Sequence, residues 1–284
     1  MSNESTRRKV LITGAGGTIG RDLAARLRDH YDLRLMHRSK PKDAGDRDIV
    51  TADIRDYAQV RATMDGVDTV LHLAGDPAVP APWESVLENN IIGTRNVLEA
   101  AREAGARRVV FASTNHVMGM YDRDGAWPVY NDLPQRPDSL YGVSKAFGED
   151  LGRHYFDAFG LEFIALRIGW YMESPAMEGG TGRAMWLSPA DCAQVFICAT
   201  EAAVPYGVFY AISDNPDRRW DLTGQLAAGA RHRGGRRARR GAARGQLAGG
   251  NLTRGRKRSR RWPHGRSRGG RALNAPSGVA LAGG

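Results

Sequence analysis

"KVLITGAGGTIGRDLAARLRD", residues 9–29, runs from an apolar stretch through a glycine cluster into an amphipathic segment, and its reading decides the fold. The opening "KVLITG" is short and apolar, as a buried strand requires. From Thr18 onward, Ile19, Leu23 and Leu27 recur four apart, which puts them on one face of a helix. Between the two segments, Gly14, Gly17 and Gly20 stand in GxxGxxG spacing. In a strand-to-helix turn the first glycine permits a sharp bend, the second lets the backbone approach a pyrophosphate, and the third lets the helix pack close to the strand. The free N–H groups at the helix start, around Thr18 and Ile19, then face the phosphate charge. A glycine trio alone is weak evidence; directly after an N-terminal apolar strand it predicts a dinucleotide cradle.

The same alternation continues along the chain. "DLRLMH", "DIVTAD", "DTVLHLAG", "RRVVFAST", "LEFIALRIG" and "GVFYAISD" read as strands; "YAQVRATMDG", "VLENNIIGTRNVLEAAREAG", "YGVSKAFGEDLGRHYFDAFG" and "SPADCAQVFICATEA" read as helices. Ser188, Pro189 and Asp191 give the last of these an N-cap, a first-turn proline and a capping acid. The pattern predicts an α/β fold over residues 1–222: a doubly wound parallel sheet, the Rossmann fold, with a small substrate lobe at about 170–222. Ligands of such sheets sit beyond the carboxyl ends of the strands. There, "LMHRSK" ends the second strand with His37, Arg38, Ser39 and Lys40, where an acid would take the ribose hydroxyls of NAD. Two cations and a hydroxyl suit a 2′-phosphate, so NADP is favoured over NAD. Asp53 is placed to accept from an adenine amino group with Ile54 beside the ring. Leu73, Ala74 and Gly75 end the fourth strand with little bulk across the cofactor path.

Composition bounds the function. The 284 residues are 42% hydrophobic, enough for a real core, and no stretch has the length of a membrane span or the apolar core of a signal peptide. A cytoplasmic protein is expected. Cys192 and Cys198 lack zinc or disulfide spacing and read as core thiols. The net charge of +10 is unevenly spread: residues 223–284 hold 16 basic residues and no acid, leaving 25 basic against 31 acidic in residues 1–222. With 15 glycines in 62 residues and no periodicity, that tail is expected to be disordered, or to be translated out of frame after about Leu222. A genuine Arg/Gly tail would attract nucleic acid, though Trp262 is its only aromatic residue.

"SLYGVSKAFGED", residues 139–150, sets Tyr141 and Lys145 one helical turn apart, on a shared face. The glycine cradle, Asp53, "HLAG", "NIIGT" at 90–94, "AST" at 112–114 and this YxxxK occur in the order of the extended short-chain dehydrogenase/reductases. The chain resembles their NAD-dependent epimerase/dehydratase branch. "FASTNHVMG", "RPDSLYGVSKAFGE" and "AMWLSPADCA" are similar to uronate dehydrogenases and archaeal sugar-6-phosphate dehydrogenases. The likeness runs from about Val10 to Leu222, with His37 standing where those relatives usually carry an acid.

The resemblance implies that Tyr141 is the general acid/base, that Lys145 supports it and holds the nicotinamide ribose, and that Thr114 bonds the reacting oxygen. It also puts Asn90 and the backbone of Ile168 at the cofactor, and implies a homodimer through the helices bearing "NNIIGT" and "YGVSK". A tyrosine serving near neutrality needs its pKa of about 10 lowered by about three units, and an ammonium about 4 Å away supplies roughly that energy. Asn115, His116, Asp76 and Arg183 are candidates for sugar hydroxyls or an anionic group, with Trp170 and Tyr171 as walls. The expected reaction is oxidation of a sugar acid or sugar phosphate at its anomeric carbon to a lactone. A nucleotide-sugar epimerase or reductase is the second enzyme reading, and a cofactor-sensing nucleic-acid binder is the non-enzymatic one.

Overall fold

Strand β1 (Lys9–Thr13) is the axis of the sheet, with partners on both edges and a face buried on either side. The computed structural model describes residues 7–42, 45, 47–175 and 180–222, so the Arg/Gly segment 223–284 lies outside the described residues. Beside β1 stand β2 (Asp32–His37) and β3 (Asp48–Thr51) on one edge, and β4 (Thr69–His72), β5 (Arg108–Thr114) and β6 (Glu162–Ile168) on the other. A small parallel pair, β7 (Trp170–Tyr171) and β8 (Trp186–Leu187), forms a second sheet, and β9 (Tyr206–Ala211) closes the main one. The main sheet is parallel in the order β3-β2-β1-β4-β5-β6-β9. This is the expected doubly wound topology, and strand order reverses between β1 and β4, where ligands of such sheets bind.

Alternation along each strand divides the core into two layers. On one face Val10, Ile12, Leu71, Val110 and Ile164 meet α1 (Thr18–Leu27) through Leu23 and Leu27, and the last helix, Pro189–Glu201, through Val195 and Phe196. On the other, Leu11, Val70, Val109, Phe111 and Phe163 meet α2 (Tyr57–Ala62), then Trp83–Ser85 (α3), Gly93–Glu103 (α4), Gly119–Arg123 (α5) and Leu140–Phe159 (α6) follow, with Val60, Val97, Leu98 and Tyr155 in that layer. Gly180–Ala184 is α7, and Pro189–Glu201 is α8. Ser188 caps α8 by accepting from the Asp191 amide at 3.0 Å, as its sequence foretells. Cys192 is buried, whereas Cys198 is half-buried. Among the described residues, no helix is long and apolar enough to cross a membrane.

Two buried arginines hold the layers together and leave no periodic trace in the sequence. Arg108 donates to the carbonyls of Ala199, Thr200, Ala202 and Val204 at 2.6–3.2 Å, satisfying the C-terminal end of α8, and to Glu162 at 2.8 Å. Under the site, Arg167 makes a bidentate pair with Glu149 at 3.0 and 2.8 Å; both side chains are at most 3% exposed. Ser113 at 2.5 Å and Gln135 at 2.9 Å fill the remaining acceptor positions of that carboxylate.

A third link sets the cleft itself. The Thr13 hydroxyl accepts from the amides of Leu73 and Ala74, both at 3.2 Å, so its proton goes to Nδ1 of His72 at 2.8 Å. That leaves the single N–H of the neutral ring on Nε2, which donates to Thr94 Oγ1 at 3.2 Å. His72 therefore ties β1, the end of β4 and α4 together while uncharged. Burial, with Lys145 nearby, pushes its pKa down to about 3. In the unfolded chain the ring titrates near 6.5, so between those values the unfolded state binds the extra proton and stability falls as pH falls. Urea denaturation between pH 6.5 and 4.5 should show a loss of up to about 1.4 kcal/mol per pH unit that His72→Gln flattens; the same slope in both proteins would contradict the assignment.

Candidate active site

A cleft of about 680 Å³ lies over the carboxyl ends of β1, β2, β4 and β5. It is lined by Gly14, Gly17, Thr18, Ile19 and Gly20, by His37, Arg38 and Ser39, by Asp53 and Ile54, by Leu73 to Asp76, by Thr114, Tyr141 and Lys145, and by Ile168, Gly169 and Tyr171. Gly14 has φ +69°, and a Cβ there would lie 2.8 Å from the Ala74 nitrogen; one on Gly20 would lie 2.3 Å from the Gly14 carbonyl oxygen. Both close approaches are therefore built on glycine. Helix α1 has Gly17 as its N-cap, with no side chain capping it and no acid in its first turn, which leaves its amides for an outside anion. These features fit the diphosphate of a dinucleotide, as the opening motif predicts.

Around the rest of the cleft most of the expected cofactor residues gather, several with partners that spacing does not reveal, whereas Asn90, Asn115 and His116 stand outside its lining. Asp53 has its carboxylate held by Arg55 at 2.7–3.1 Å, which keeps its pKa below the ordinary value. His37 sits beside Gly16, and burial, helped by Arg47, keeps the imidazole pKa below its ordinary value. Lys40 is exposed and lies outside the cleft lining. The helix expected over 86–105 is in fact a π-helix at Val86–Ile92 running into α4. The wider winding turns Asn90 inward, and its amide accepts from the Asp76 N–H at 2.7 Å while donating to the Asp76 carbonyl and Ser144 Oγ, both at 3.0 Å. Asn90 thus braces the Gly75–Asp76 turn from behind. Asp76 itself accepts from Ser85 Oγ at 2.5 Å, which is the main reason its pKa is lowered.

The two adjacent hydroxyls of β5 separate as alternation requires. Ser113 faces Glu149 beneath the sheet end, while Thr114 faces the cleft, hydrogen-bonds Tyr141 and accepts from the His116 amide at 3.3 Å. The expected electrostatics of Tyr141 and Lys145 need correction. Burial pushes the Tyr141 phenol up to about 12; the Thr114 hydrogen bond opposes the rise and Asp76 adds to it. Lys145 Nζ donates to the Ala112 carbonyl at 2.8 Å and lies 5.8 Å from the Tyr141 ring centre. Its own pKa is pushed down to about 8 by burial.

The substrate candidates divide. Asn115 is buried, with its amide 3.6 Å from the Met185 sulfur, and His116 is bound by Asp138, a residue the sequence reading does not single out. Arg183 is not brought to the cleft; it is half-exposed and pairs with Asp217 at 3.4 Å. Tyr171 lines the cleft, whereas Trp170 is half-exposed. Glu149 and Arg167 could have been suspected only from their charge on otherwise apolar faces of α6 and β6. Lys145 has a measurable cost: below pH 8 it is charged in both states, so its burial penalty is fully present, and between about 8 and 10.5 stability rises as the folded chain sheds the proton first. Lys145→Met should therefore raise stability at pH 7 by about 2 kcal/mol, after about 1 kcal/mol is deducted for the stranded Ala112 carbonyl. The gain should shrink between pH 8 and 10; a variant less stable than the parent at pH 7, by urea denaturation, would contradict this.

Residues 10–172 match the NAD dependent epimerase/dehydratase family. Over 229 residues the chain is 42% identical to NAD-dependent glucose-6-phosphate dehydrogenase of Haloferax volcanii, covering 74% of this chain and 87% of that one. It is 40% identical over 242 residues to L-arabinose 1-dehydrogenase (NAD(P)(+)) of the same organism, covering 78% and 94%. Among solved structures, a tyrosine-to-alanine mutant of uronate dehydrogenase from Agrobacterium tumefaciens, complexed with NAD, superposes with a TM-score of 0.73 at 35% identity, over 79% of this chain and 84% of that one. Since the matched span holds every element that shapes the cleft from β1 to β7, this chain belongs to the NAD dependent epimerase/dehydratase family.

Proposed function

We propose that residues 1–222 oxidise an aldose-type sugar at its anomeric carbon to the lactone, with a nicotinamide dinucleotide as oxidant: the hemiacetal loses a hydride and a proton, and the dinucleotide is reduced. The observation that carries this reading is the meeting of Thr114, Tyr141 and Lys145 in the cleft that the glycine cradle also lines, in a chain whose relatives are named as sugar dehydrogenases. When bound, the nicotinamide supplies the hydride acceptor and a positive charge beside the phenol. Tyr141 Oη takes the proton of the anomeric hydroxyl, and the Thr114 hydroxyl holds the oxygen from which it leaves. Lys145, fixed on the Ala112 carbonyl, adds positive potential on the side of Tyr141 and is placed for a ribose hydroxyl.

Gly14, Gly17, Thr18, Ile19 and Gly20 would cradle the diphosphate, and Ile54, Leu73, Ala74, Gly75 and Ile168 would shape the walls. With no acid at the end of β2, and with Arg38 and Ser39 on the cleft, the site accommodates a 2′-phosphate as well as a free ribose hydroxyl. The reading extends to a cytoplasmic homodimer. Ile92 on the π-helix and Leu140, Val143 and Phe147 on α6 expose between 36% and 46% of their surface on helices that lie against each other, an apolar face that a second copy would cover.

The test is a panel of glucuronate, galacturonate, glucose 6-phosphate, L-arabinose and UDP-glucose, each with NAD and with NADP. Net reduction of the dinucleotide by a free sugar is expected, with Thr114→Ala losing about 100-fold in kcat and Ser113→Ala far less. Conversion of UDP-glucose alone, without net reduction, would sink the proposal; the reverse ranking of the two hydroxyl variants would reassign the role of Thr114.

A further inference from the structure

Beside Tyr141, a carboxylate and an imidazole are locked together by both backbone and side chains. His116 lies edge-on to the Tyr141 ring, with 5.9 Å between ring centres. Its Nδ1 is 2.9 and 3.0 Å from the two oxygens of Asp138. A carboxylate only accepts, so Nδ1 carries the proton toward Asp138 and Nε2 is the ring atom left for another partner. The Asp138 amide in turn donates to the His116 carbonyl at 3.3 Å, and Ser139 Oγ donates to Oδ1 at 3.0 Å. The side chain of Asp138 is 9% exposed, and Arg123, at 4.0 Å, is the other charged group facing it.

The surroundings are shaped for this carboxylate. Residue 136 bonds back to residues 117 and 120, so the segment carrying Asp138 runs alongside the turn carrying His116. Gly119 has ordinary helical angles, φ −62° and ψ −28°, where alanine would be the better residue. Yet a Cβ on Gly119 would lie 2.1 Å from Asp138 Oδ2 and 2.3 Å from Cγ. The glycine is therefore explained by the volume of the carboxylate and not by backbone freedom.

We propose that Asp138 is a positioning residue for sugar specificity: it fixes His116 in the Nδ1–H form and holds the ring beside Tyr141, so that Nε2 accepts a hydrogen bond from a sugar hydroxyl neighbouring the reacting carbon. This rests on the reading of Thr114 and Tyr141 as the reaction centre. It makes the imidazole a reader of one hydroxyl rather than a second base. Gly119 belongs to the same device, because its missing side chain is what admits the carboxylate.

Three variants of the full chain test it: Asp138→Ala, Asp138→Asn and Gly119→Ala. Asparagine keeps an oxygen to accept from Nδ1–H, whereas alanine does not. Asp138→Ala should raise the sugar KM about tenfold, the worth of one positioned hydrogen bond, with a smaller effect on kcat and an unchanged Kd for NADH by fluorescence. Asp138→Asn should restore most of the KM, and Gly119→Ala should follow Asp138→Ala. Nitrogen-15 spectra of the imidazoles should show His116 as the Nδ1–H tautomer in the parent and the Asn variant, and a tautomer mixture in the Ala variant. A KM unmoved by Asp138→Ala, or a parallel loss of NADH affinity signalling general disruption, would overturn the proposal, as would an unaltered His116 tautomer. If the parent oxidises no sugar, the proposed function fails, while the spectra still decide whether Asp138 sets the ring.

Discussion

The Lys145 ammonium donates to the carbonyl of Ala112 at 2.8 Å, pinning α6 to the carboxyl end of β5 at the point where the proposed chemistry occurs. That bond places Tyr141 opposite Thr114 and holds a mostly buried cation in the cleft lining. Several other features serve the same junction. Asn90 braces the turn that faces Lys145, Glu149 and Arg167 neutralise one another under Ser113, and His72 stays uncharged close to the ammonium. A protonated His72 would stand as a second buried cation beside Lys145, which is why its two hydroxyl partners matter: they satisfy the ring without charging it.

Tyr141 shows why the site depends on its ligand. Burial holds the phenol near 12, so the chain's own groups leave it protonated at neutral pH. A buried phenol is a poor base until positive charge arrives close by, and the one event in the proposed cycle that brings such charge is occupancy of the glycine cradle by an oxidised dinucleotide. Acid/base competence is then linked to cofactor binding. The arrangement also gives a use to a buried ammonium whose pKa is lowered by desolvation.

Local signals carried the fold. The apolar runs, the GxxGxxG turn, the cap at Ser188 and the four-residue spacing of Tyr141 and Lys145 are all contained within one or two elements, so periodicity and chain geometry reveal them. What escaped depends on residues far apart: Arg108 reaches carbonyls some 90 positions later, Arg167 meets Glu149 from a different layer, and Asp138 meets His116 across a loop. The π-helix at Val86–Ile92 carries no pattern that separates it from an α-helix. Arg183 shows the opposite failure, a residue of suitable chemistry that the fold sends to Asp217. Spacing reports that Tyr141 and Lys145 are neighbours, whereas the upward pKa shift of the phenol comes from the water that burial removes, which spacing does not reveal.

The central claim is that Tyr141 becomes a base only beside the oxidised cofactor. Its ionisation can be read directly as the phenolate absorbance difference between the parent chain and Tyr141→Phe, titrated with and without saturating NAD or NADP. The account predicts ionisation above pH 10 in the free protein and a downward move of about two units or more when the oxidised dinucleotide binds. A phenol that already ionises below pH 9 without cofactor, or one that does not move when cofactor binds, would contradict it.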